Sequence, residues 1–331
     1  MTRCAVIGAG AWGTALADLL ARNGHEVSIW AYEWDVVESI NRLHQNRRFL
    51  SGHQLMDSLT AHNNIETAVE GAELVTLATP SHVLRTIARS SSEFIRDGVP
   101  VVVASKGIED GTLALMTDVA SQEMSNATVV ALSGPSFAAE VVAQQPTAVV
   151  VASGSPEAAL FAQQAFSSIH FRAYSHTDVT GVEIGGSLKN VMAVATGIAD
   201  GLGLGFNARA ALITRGLAEM TRLGVKLGAE ASTLAGLAGL GDLVLTCTGS
   251  LSRNRAVGVE VGRGVPLEKV LAGRETVAEG VTTARSAHAL ALREGVEMPI
   301  VDAVHKVLFE GQPARDAIGA LMARELRPES D

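Results

Sequence analysis

Lys189 is the only charged residue between positions 184 and 199, where all other residues are small, apolar or uncharged. A buried ammonium group without a partner loses its hydration, so burial lowers the pKa of a lysine and favours its neutral form. The residues about one helical turn away, Gly185, Met192 and Ala193, supply no counter-charge. A lysine in such surroundings can exchange a proton near neutral pH, and the sequence therefore predicts a proton donor or acceptor at Lys189.

Three other segments place polar residues where the apolar pattern gives no reason for them. They contain Lys106 in VVVASKG, Ser133, Gly134 and Ser136 in LSGPSFA, and Asp242, Ser252, Arg253, Asn254 and Arg255 in GLGDLVLTCTGSLSRNR. Taken singly, Lys106 and the two arginines also fit solvated surface positions, and Asp242 fits a helix cap. Taken together with a cofactor, these residues fit the reduction of a ketone, which needs a hydride, a proton and cationic stabilisation of the new alkoxide. Arg253 with Asn254 suits a phosphate, because a guanidinium group binds phosphate through paired, charged hydrogen bonds.

The opening segment CAVIGAGAWGTALADLL predicts a dinucleotide-binding loop. Gly8, Gly10 and Gly13 form a GxGxxG pattern between an apolar strand and a helix, and Glu33 ends the next strand 20 residues after Gly13. In this pattern the first glycine permits a tight turn, the second lets a pyrophosphate approach the backbone, and the third lets helix and strand touch. The positive N-terminus of the helix then attracts the phosphates.

The residues after the second strand do not decide between NAD and NADP. Glu33 can accept hydrogen bonds from an unphosphorylated ribose, which favours NAD. Tyr32, or Arg47 and Arg48 from a later loop, can instead accommodate a 2′-phosphate. Both cofactors stay open at this point.

The first half of the chain alternates short β-branched runs with helical patterns, which is typical of a parallel sheet with crossover helices. Strands are predicted at residues 4–7, 27–30, 74–78, 99–104, 129–132, 148–152 and 170–174. From about residue 179 the patterns are helical only, with helices expected from Asn207 to about 224, from 282 to 295, from 299 to about 311 and from 313 onwards. We therefore expect an α/β fold, with a Rossmann-type domain at residues 1–178 and an all-α domain at residues 179–331.

Composition argues against several classes of function. The chain has 331 residues, a net charge of −9 and no basic run with interleaved aromatic residues, so a nucleic-acid partner is not expected. Cys4 and Cys247 form no CxxC pair, and the nine histidines show no HExxH spacing, so no metal site is expected. No uninterrupted apolar run reaches the roughly 18 residues of a membrane span, and the N-terminus has no signal-peptide pattern. We expect a cytoplasmic protein that does not contact membranes.

Six segments, in their order and spacing, resemble the bacterial NAD(P)-dependent glycerol-3-phosphate dehydrogenases. They are GAGAWG, ASKG, SGPSFA, GGSLKN, GLGDLVLTCTGSLSRNR and VAEG, and the resemblance covers essentially the whole chain. It implies the reversible reduction of dihydroxyacetone phosphate to sn-glycerol 3-phosphate by NADH or NADPH, which supplies glycerophospholipid synthesis. It also implies a helical domain similar to the C-terminal domain of 6-phosphogluconate dehydrogenase.

The same resemblance implies roles for individual residues. Lys189 is the expected proton donor and acceptor, with Lys106 and Asp242 beside it as catalytic residues. The expected substrate-binding residues are Lys106, Gly134, Ser136, Lys189, Asp242, Ser252, Arg253 and Asn254. The expected cofactor-binding residues are Gly8, Gly10, Ala11, Trp12, Gly13, Tyr32, Lys106, Ala138, Arg253, Val277 and Glu279.

Three positions depart from the usual pattern of this family. Ala11 replaces a common serine and Ala278 a common valine, both with small expected effects. Tyr32 stands where arginine or histidine is frequent, which weakens the case for a preference for NADP.

Two other functions stay open from the residues themselves, namely a dehydrogenase of another hydroxy acid or sugar acid and a dinucleotide sensor without catalysis. The SRNR segment argues against the first, and an isolated Lys189 argues against the second. A homodimer is the default expectation for the oligomeric state.

Overall fold

The structure, a computed structural model, describes residues 1–272, 278–326 and 328–329. Its first part is an eight-stranded sheet with the strand order β3-β2-β1-β4-β5-β6-β7-β8. The strands are β1 Arg3–Ile7, β2 Glu26–Trp30, β3 Thr60–His62, β4 Leu74–Leu77, β5 Pro100–Val103, β6 Thr128–Ser133, β7 Thr147–Ala152 and β8 Phe171–His176. A separate apolar cluster covers each face of the sheet, and this explains the nearly continuous apolar character of the central strands.

Helices cover the sheet and are the only regular elements in the described part of the chain beyond residue 178. The helices around the sheet are α1 Ala11–Arg22, α2 Trp34–Leu43, α3 Ile65–Val69, α4 Ser81–Ser92, α5 Met116–Glu123, α6 Ala138–Val142 and α7 Pro156–Phe166. The helices that follow are α8 Val179–Gly201, α9 Phe206–Lys226, α10 Ala231–Leu234, α11 Asp242–Thr248, α12 Arg253–Gly262, α13 Leu267–Leu271, α14 Glu279–Glu294, α15 Pro299–Phe309 and α16 Ala314–Met322, with a π-helical turn at Leu237–Gly241. An α/β part followed by an all-helical part confirms the expected fold class, whereas the exact division at residues 178 and 179 stays a prediction.

The sheet differs from the expectation in two ways. Seven strands were expected and are present, but β3 was missed, because its three residues are too few to show an alternating pattern. The sheet is also not entirely parallel, since β6 and β7 are antiparallel. The five residues of α6 extend only about 8 Å, whereas the six residues of β6 extend about 20 Å. A helix this short does not act as a crossover, and the chain reverses its direction between the two strands.

Two expected helix starts are wrong by a few residues. α9 is capped by Gly205 in an extended conformation, so Asn207 lies inside the helix and makes no capping bond. α14 begins at Glu279 and not at residue 282. A carboxylate in the first turn of a helix interacts favourably with the helix dipole, which stabilises this earlier start.

α8 is the central helix of the helical part, and its residues 181–199 are all buried. Glycines let α12 pack directly on its backbone. A Cβ on Gly197 would lie 2.2 Å from a backbone oxygen of α12, and a Cβ on Gly258 would lie 2.2 Å from a backbone oxygen of α8. The helix that begins at Arg253 is therefore held against the helix that carries Lys189.

One window of 18 residues, Ala231–Thr248, has the length and hydropathy of a membrane-spanning helix. It is not one regular α-helix, because the π-helical turn lies between α10 and α11. Leu234, Leu243 and Cys247 from this window are fully buried in the core of the helical part, and Asp242 is fully buried in its middle. This window is a core element of the described fold.

Candidate active site

A buried carboxylate joins two lysines that lie far apart in the sequence. Asp242 is fully buried, and its Oδ2 accepts a hydrogen bond of 2.6 Å from Lys106 Nζ, while its Oδ1 accepts one from Lys189 Nζ. Lys106 follows β5, Lys189 lies in the middle of α8, and Asp242 begins α11. The two parts of the chain thus share one charged group, which we call the lysine–aspartate cluster.

The cluster poises Lys189 for proton exchange. Burial lowers the pKa of Lys189 to about 8, an effect that the charge of Lys106 strengthens and the charge of Asp242 opposes. Only 8% of the surface of Lys189 is exposed. Both the ammonium and the amine form are therefore accessible near neutral pH, as a group that gives and takes a proton requires.

Small residues allow the segments of the cluster to meet. A Cβ on Gly185 would lie 2.3 Å from a backbone oxygen of the π-helical turn, so this turn rests directly on α8. A Cβ on Gly186 would lie 2.5 Å from Ser133 Oγ and 3.4 Å from Lys106 Cδ. Single π-helical turns are frequent at functional sites, and here the turn ends immediately before Asp242.

The loop after β6 holds Lys106 from a second side. The backbone oxygen of Gly134 accepts hydrogen bonds from Lys106 Nζ at 3.3 Å and from Ser136 Oγ at 2.9 Å. Gly134 has a φ of +145°, a conformation that L side chains rarely adopt. Ser133 Oγ is buried and has no hydrogen-bond partner among the described residues. The structure therefore brings the predicted residues Gly134 and Ser136 next to Lys106.

Asn254 ties the start of α12 to the turn of α8 that carries Lys189. Its Nδ2 donates a hydrogen bond of 2.8 Å to Asn190 Oδ1, and its Oδ1 accepts one of 2.9 Å from the backbone N–H of Gly280. Ser252 caps the same helix, because its Oγ accepts a hydrogen bond from the N–H of Arg255 at 3.2 Å. Both residues thus build the N-terminus of α12 as well as being candidates for substrate contact.

The two arginines of the SRNR segment have different surroundings. Arg255 Nη2 lies 2.7 Å from Asp200, which also pairs with Arg209 at 2.6 Å, so Arg255 belongs to a structural ion-pair network. Arg253 makes no hydrogen bond or ion pair with any residue that the structure describes; partial burial lowers the pKa of its guanidinium group, and the charge of Glu279 opposes this effect. An uncommitted guanidinium group at a helix N-terminus is well suited to bind a phosphate.

The glycine-rich loop between β1 and α1 fits the pyrophosphate of a dinucleotide. Gly8 has a φ of +115°, and a Cβ on Gly13 would lie 1.8 Å from the backbone oxygen of Gly8, so the start of α1 packs tightly on the loop. A Cβ on Gly10, in contrast, would meet no protein atom within 4 Å. The N–H groups of Ala11 and Trp12 have no partner within the helix, and Trp12 Nε1 is a buried donor without a partner in the described chain. These donors beside an open backbone position suit a bound dinucleotide phosphate.

The residues near the end of β2 are compatible with an adenosine ribose that carries a 2′-phosphate and with one that does not. Glu33 is the N-cap residue of α2. Asn46 is buried and donates a hydrogen bond of 2.8 Å to a backbone oxygen of the glycine-rich loop, which fixes the loop that carries the candidate arginines. Arg48 Nη1 lies 3.3 Å from Asp35 in the first turn of α2. The carboxylate and an arginine therefore flank the same helix start.

The remaining predicted cofactor contacts come from other elements of the chain. Tyr32 is 78% exposed beyond β2, and Ala138 begins α6. Glu279 accepts hydrogen bonds from the backbone N–H of Ser81, at 3.0 Å, and from Ser81 Oγ, so it caps α4 at the end of β4. Val277 lies outside the described residues.

Asn46, Ser81 and Thr246 were not predicted from the sequence. Thr246 Oγ1 donates a hydrogen bond of 2.6 Å to the backbone oxygen of Asp242 and thereby supports the start of α11. Ser81 stands shortly after a strand, and the rule that ligands gather beyond the carboxyl ends of parallel strands offered a signal for it. Asn46 and Thr246 carry no such signal, because polar residues of this kind are common in loops and helices.

No group of three His, Cys, Asp or Glu side chains in the described ranges is arranged to hold a metal ion. Cys4 and Cys247 are free and buried, and burial raises the pKa of each thiol to about 12. Thiols of this kind are poor nucleophiles.

Comparison with known proteins gives a consistent result over the whole chain. Family models for the N-terminus and the C-terminus of NAD-dependent glycerol-3-phosphate dehydrogenases match residues 3–159 and 178–319. The chain is 54% identical over 331 residues to a glycerol-3-phosphate dehydrogenase, NAD(P)+, of Geobacter sulfurreducens, covering 99% of this chain and 98% of the relative. It is 51% identical over 330 residues to the protein of the same name from Myxococcus xanthus, with the same coverage. The crystal structure of glycerol-3-phosphate dehydrogenase from Coxiella burnetii has a TM-score of 0.94 at 39% identity and covers 98% of this chain and 99% of that chain.

Gly13→Ala should destabilise the glycine-rich loop, because the new methyl group overlaps the backbone oxygen of Gly8. Overpacking of this kind lowers the free energy of unfolding by about 1–3 kcal/mol. Gly10→Ala is the matched control, since its methyl group meets no protein atom and changes only the helix cap, worth less than about 1 kcal/mol. Urea unfolding of the ligand-free variants measures both effects, and equal losses would contradict the close approach at Gly13.

Asp242→Asn should lower the free energy of unfolding by about 3–5 kcal/mol, because it leaves two lysine ammonium groups together without a buried counter-charge. Asp200→Asn is a suitable control, since Asp200 also joins two cations, Arg209 and Arg255, but at a more exposed place. Its loss should be smaller. A loss below about 1 kcal/mol for Asp242→Asn in urea unfolding would show that the cluster is not the buried ion pair described above.

Proposed function

The chain belongs to the family of NAD-dependent glycerol-3-phosphate dehydrogenases, and we propose that it interconverts dihydroxyacetone phosphate and sn-glycerol 3-phosphate with NAD(H) or NADP(H). The single observation that carries this proposal is the buried Asp242 between two lysines, with the uncommitted Arg253 at the start of the adjoining helix. This arrangement offers a proton and a phosphate-binding cation in one place. It also concentrates positive charge in a protein whose net charge is −9.

Lys189 handles the proton in this mechanism. When bound, the reduced nicotinamide supplies a hydride to the carbonyl carbon of dihydroxyacetone phosphate. The Lys189 ammonium group donates its proton to the carbonyl oxygen as negative charge develops there. In the opposite direction, the neutral amine accepts the proton of the substrate hydroxyl group. The lowered pKa of about 8 allows both roles near neutral pH.

Lys106 and Asp242 orient and tune Lys189. Asp242 holds both ammonium groups at fixed positions on its two oxygens, so neither lysine samples its many other rotamers. Lys106 supplies a second positive charge beside the developing alkoxide, which stabilises the transition state more than the neutral ketone. Gly134 and Ser136 define the side of the site next to Lys106.

Arg253 and the N-terminus of α12 bind the phosphate group. The guanidinium group forms paired charged hydrogen bonds, while Ser252 and Asn254 keep the start of the helix in place through their capping and amide hydrogen bonds. Substrate phosphate is then anchored on the helix that packs against α8, which sets the carbonyl group opposite Lys189.

The proposal for the cofactor rests on the glycine-rich loop and on residues around it. Gly8, Gly10, Ala11, Trp12 and Gly13 hold the pyrophosphate through the backbone of the loop. The proposed outer contacts are Tyr32, Lys106, Ala138, Arg253, Val277 and Glu279. Glu33 favours NAD, because its carboxylate repels a 2′-phosphate. Arg48 favours NADP, because its guanidinium group attracts a 2′-phosphate.

We further propose a cytoplasmic homodimer whose product enters glycerophospholipid synthesis. The similarity to bacterial glycerol-3-phosphate dehydrogenases supports both the location and the role. Two-fold symmetric dimers are the commonest homo-oligomers of soluble proteins, which supports the dimer.

The decisive test is the oxidation of NADH and of NADPH by the purified protein with dihydroxyacetone phosphate, together with Lys189→Ala. The variant should bind substrate but lose roughly 10²–10⁴-fold in kcat, as expected for a lost acid–base group.

For the wild type, kcat/KM of the reduction should fall as the pH rises through about 8, because the ammonium form of Lys189 is lost, and kcat/KM of the oxidation should rise over the same range. Unphosphorylated ketones are the control substrates. Tight NADH binding without any turnover would instead favour a dinucleotide sensor.

Arg253→Ala should weaken the binding of the phosphorylated substrate by about 1.5–3 kcal/mol, equivalent to roughly 10–150-fold in KM. Its effect on kcat should be smaller, because Arg253 lies away from the reacting carbonyl. Arg255→Ala is the matched control, since this neighbouring arginine pairs with Asp200 and should change stability but not KM. A KM for dihydroxyacetone phosphate that is unchanged in Arg253→Ala would contradict the phosphate site.

A further inference from the structure

The loop that carries Lys106 continues into a small hairpin that enters the helical part of the protein. Ile108 and Leu115 form an antiparallel bridge, and the N–H of Glu109 donates a hydrogen bond of 2.9 Å to the backbone oxygen of Ala114. Ile108 and Leu115 belong to the same apolar core as Leu188 of α8. A segment between β5 and α5 is therefore embedded in the core of the helical part.

Both ends of this hairpin are bonded to α8. At its start, the backbone oxygen of Gly107 accepts a hydrogen bond of 3.0 Å from Ser187 Oγ. At its end, the N–H of Thr117 donates a hydrogen bond of 2.8 Å to Glu183 Oε1, and Thr117 Oγ1 bonds to Glu183 Oε2. The helix that supplies Lys189 thus also fixes both ends of the segment 107–117, which directly follows Lys106.

Glu183 is a buried glutamate in α8 that has no cationic partner among the described residues. It is 8% exposed, and no lysine or arginine lies within ion-pair distance of it in the part of the chain that the structure describes. Burial raises the pKa of Glu183 to about 7, and the hydrogen bonds from Thr117 oppose this effect. A buried carboxyl group without a cation is costly, and its hydrogen bonds all serve the start of α5. Glu183 and Lys106 also line the same cavity of about 10 Å³.

We propose that Glu183 is a positioning residue for the dehydrogenase reaction, which clamps Thr117 and thereby holds Lys106 against Asp242 and Lys189. This inference rests on the proposed function for its kinetic consequence, but the clamp itself is a property of the free protein. Without the clamp, the hairpin would move and carry Lys106 away from Asp242.

The clamp also affects Lys189. The charged groups that face Lys189 are Asp242 from α11 and Lys106 from the loop after β5. The thiol of Cys247 from α11 also lies near enough for the charge of Lys189 to act on it, but burial raises the pKa of this thiol to about 12, so it stays neutral over the range of the pH profile. The charge of Lys106 helps to lower the pKa of Lys189, so displacement of Lys106 should raise it. A residue with a purely structural role would lower stability without moving the pH dependence of turnover.

Glu183→Met tests the clamp, because it keeps the size of the side chain and removes both acceptors. We expect kcat to fall by about 10–100-fold, the range for a misplaced catalytic group, and the descending limb of the reduction profile to move to higher pH. Amide hydrogen exchange in residues 107–117 should become faster. Glu183→Gln, which keeps an acceptor for the Thr117 N–H and a donor for its hydroxyl group, should restore most of the activity.

Glu219→Met is the matched control. Glu219 is also a buried glutamate whose pKa burial raises to about 7, and it caps α15 through the N–H groups of Ile300 and Val301 at 2.7 and 3.3 Å. None of its described partners belongs to the lysine–aspartate cluster, so its variant should lose stability and retain kcat and the wild-type pH profile. A Glu183→Met enzyme that behaves like Glu219→Met, with unchanged hydrogen exchange in residues 107–117, would overturn the proposal.

Thr117→Val and Thr117→Ser decide the question if Glu183→Met does not fold. Valine removes the hydroxyl group that bonds to Glu183, whereas serine keeps it. Thr117→Val should show a lower kcat and the same shift of the pH profile, and Thr117→Ser should resemble the wild type; identical kinetics in the two variants would refute the clamp. A wild-type protein without turnover of dihydroxyacetone phosphate would refute the proposed function instead, while hydrogen exchange would still report on the clamp.

Discussion

The carboxylate of Asp242, buried between two lysine ammonium groups, is the interaction on which the rest of the site depends. Without this negative charge, Lys106 and Lys189 would repel each other in a region that water hardly reaches. With it, the ammonium group of Lys106 is held in place, and Lys189 has a pKa of about 8, close to neutral pH. Because Lys106 comes from the sheet part and Asp242 from the helical part, the same ion pairs also join the two parts of the molecule. The side chain of Asp242 therefore contributes both to the candidate catalytic site and to the contact between the two parts of the molecule.

α8 organises this arrangement. It presents Glu183, Ser187, Lys189 and Asn190 to different neighbours, namely α5, the Lys106 loop, α11 and α12. Gly185 and Gly197 allow the π-helical turn and α12, respectively, to reach its backbone directly. A helix so completely buried has little freedom to move, and the side chains that it positions are therefore held rigidly as well. Preorganised charges of this kind are effective in catalysis because they need not reorient when the transition state forms.

The sequence predicted those features whose cause lies nearby in the chain. Lys189 stood out because its neighbours are uncharged, and the glycine-rich loop because its spacing reflects local backbone geometry. Features that depend on distant partners were not predictable from one sequence. Glu183 lies just before the uncharged segment, but its role depends on Thr117, 66 residues away. The antiparallel pairing of β7 and the capping of α4 by Glu279 likewise arise from tertiary packing, which overrides local patterns.

The central claim is that Lys189 is a buried lysine with an unusually low pKa, held by Asp242 in the free protein. The most direct measurement is an NMR titration of the Lys189 side-chain nitrogen in uniformly ¹⁵N-labelled protein, assigned with Lys189→Arg. We predict a midpoint near pH 8, in agreement with the effect of burial and of Lys106. A midpoint near 10.5, the ordinary value for a lysine in water, would contradict the account.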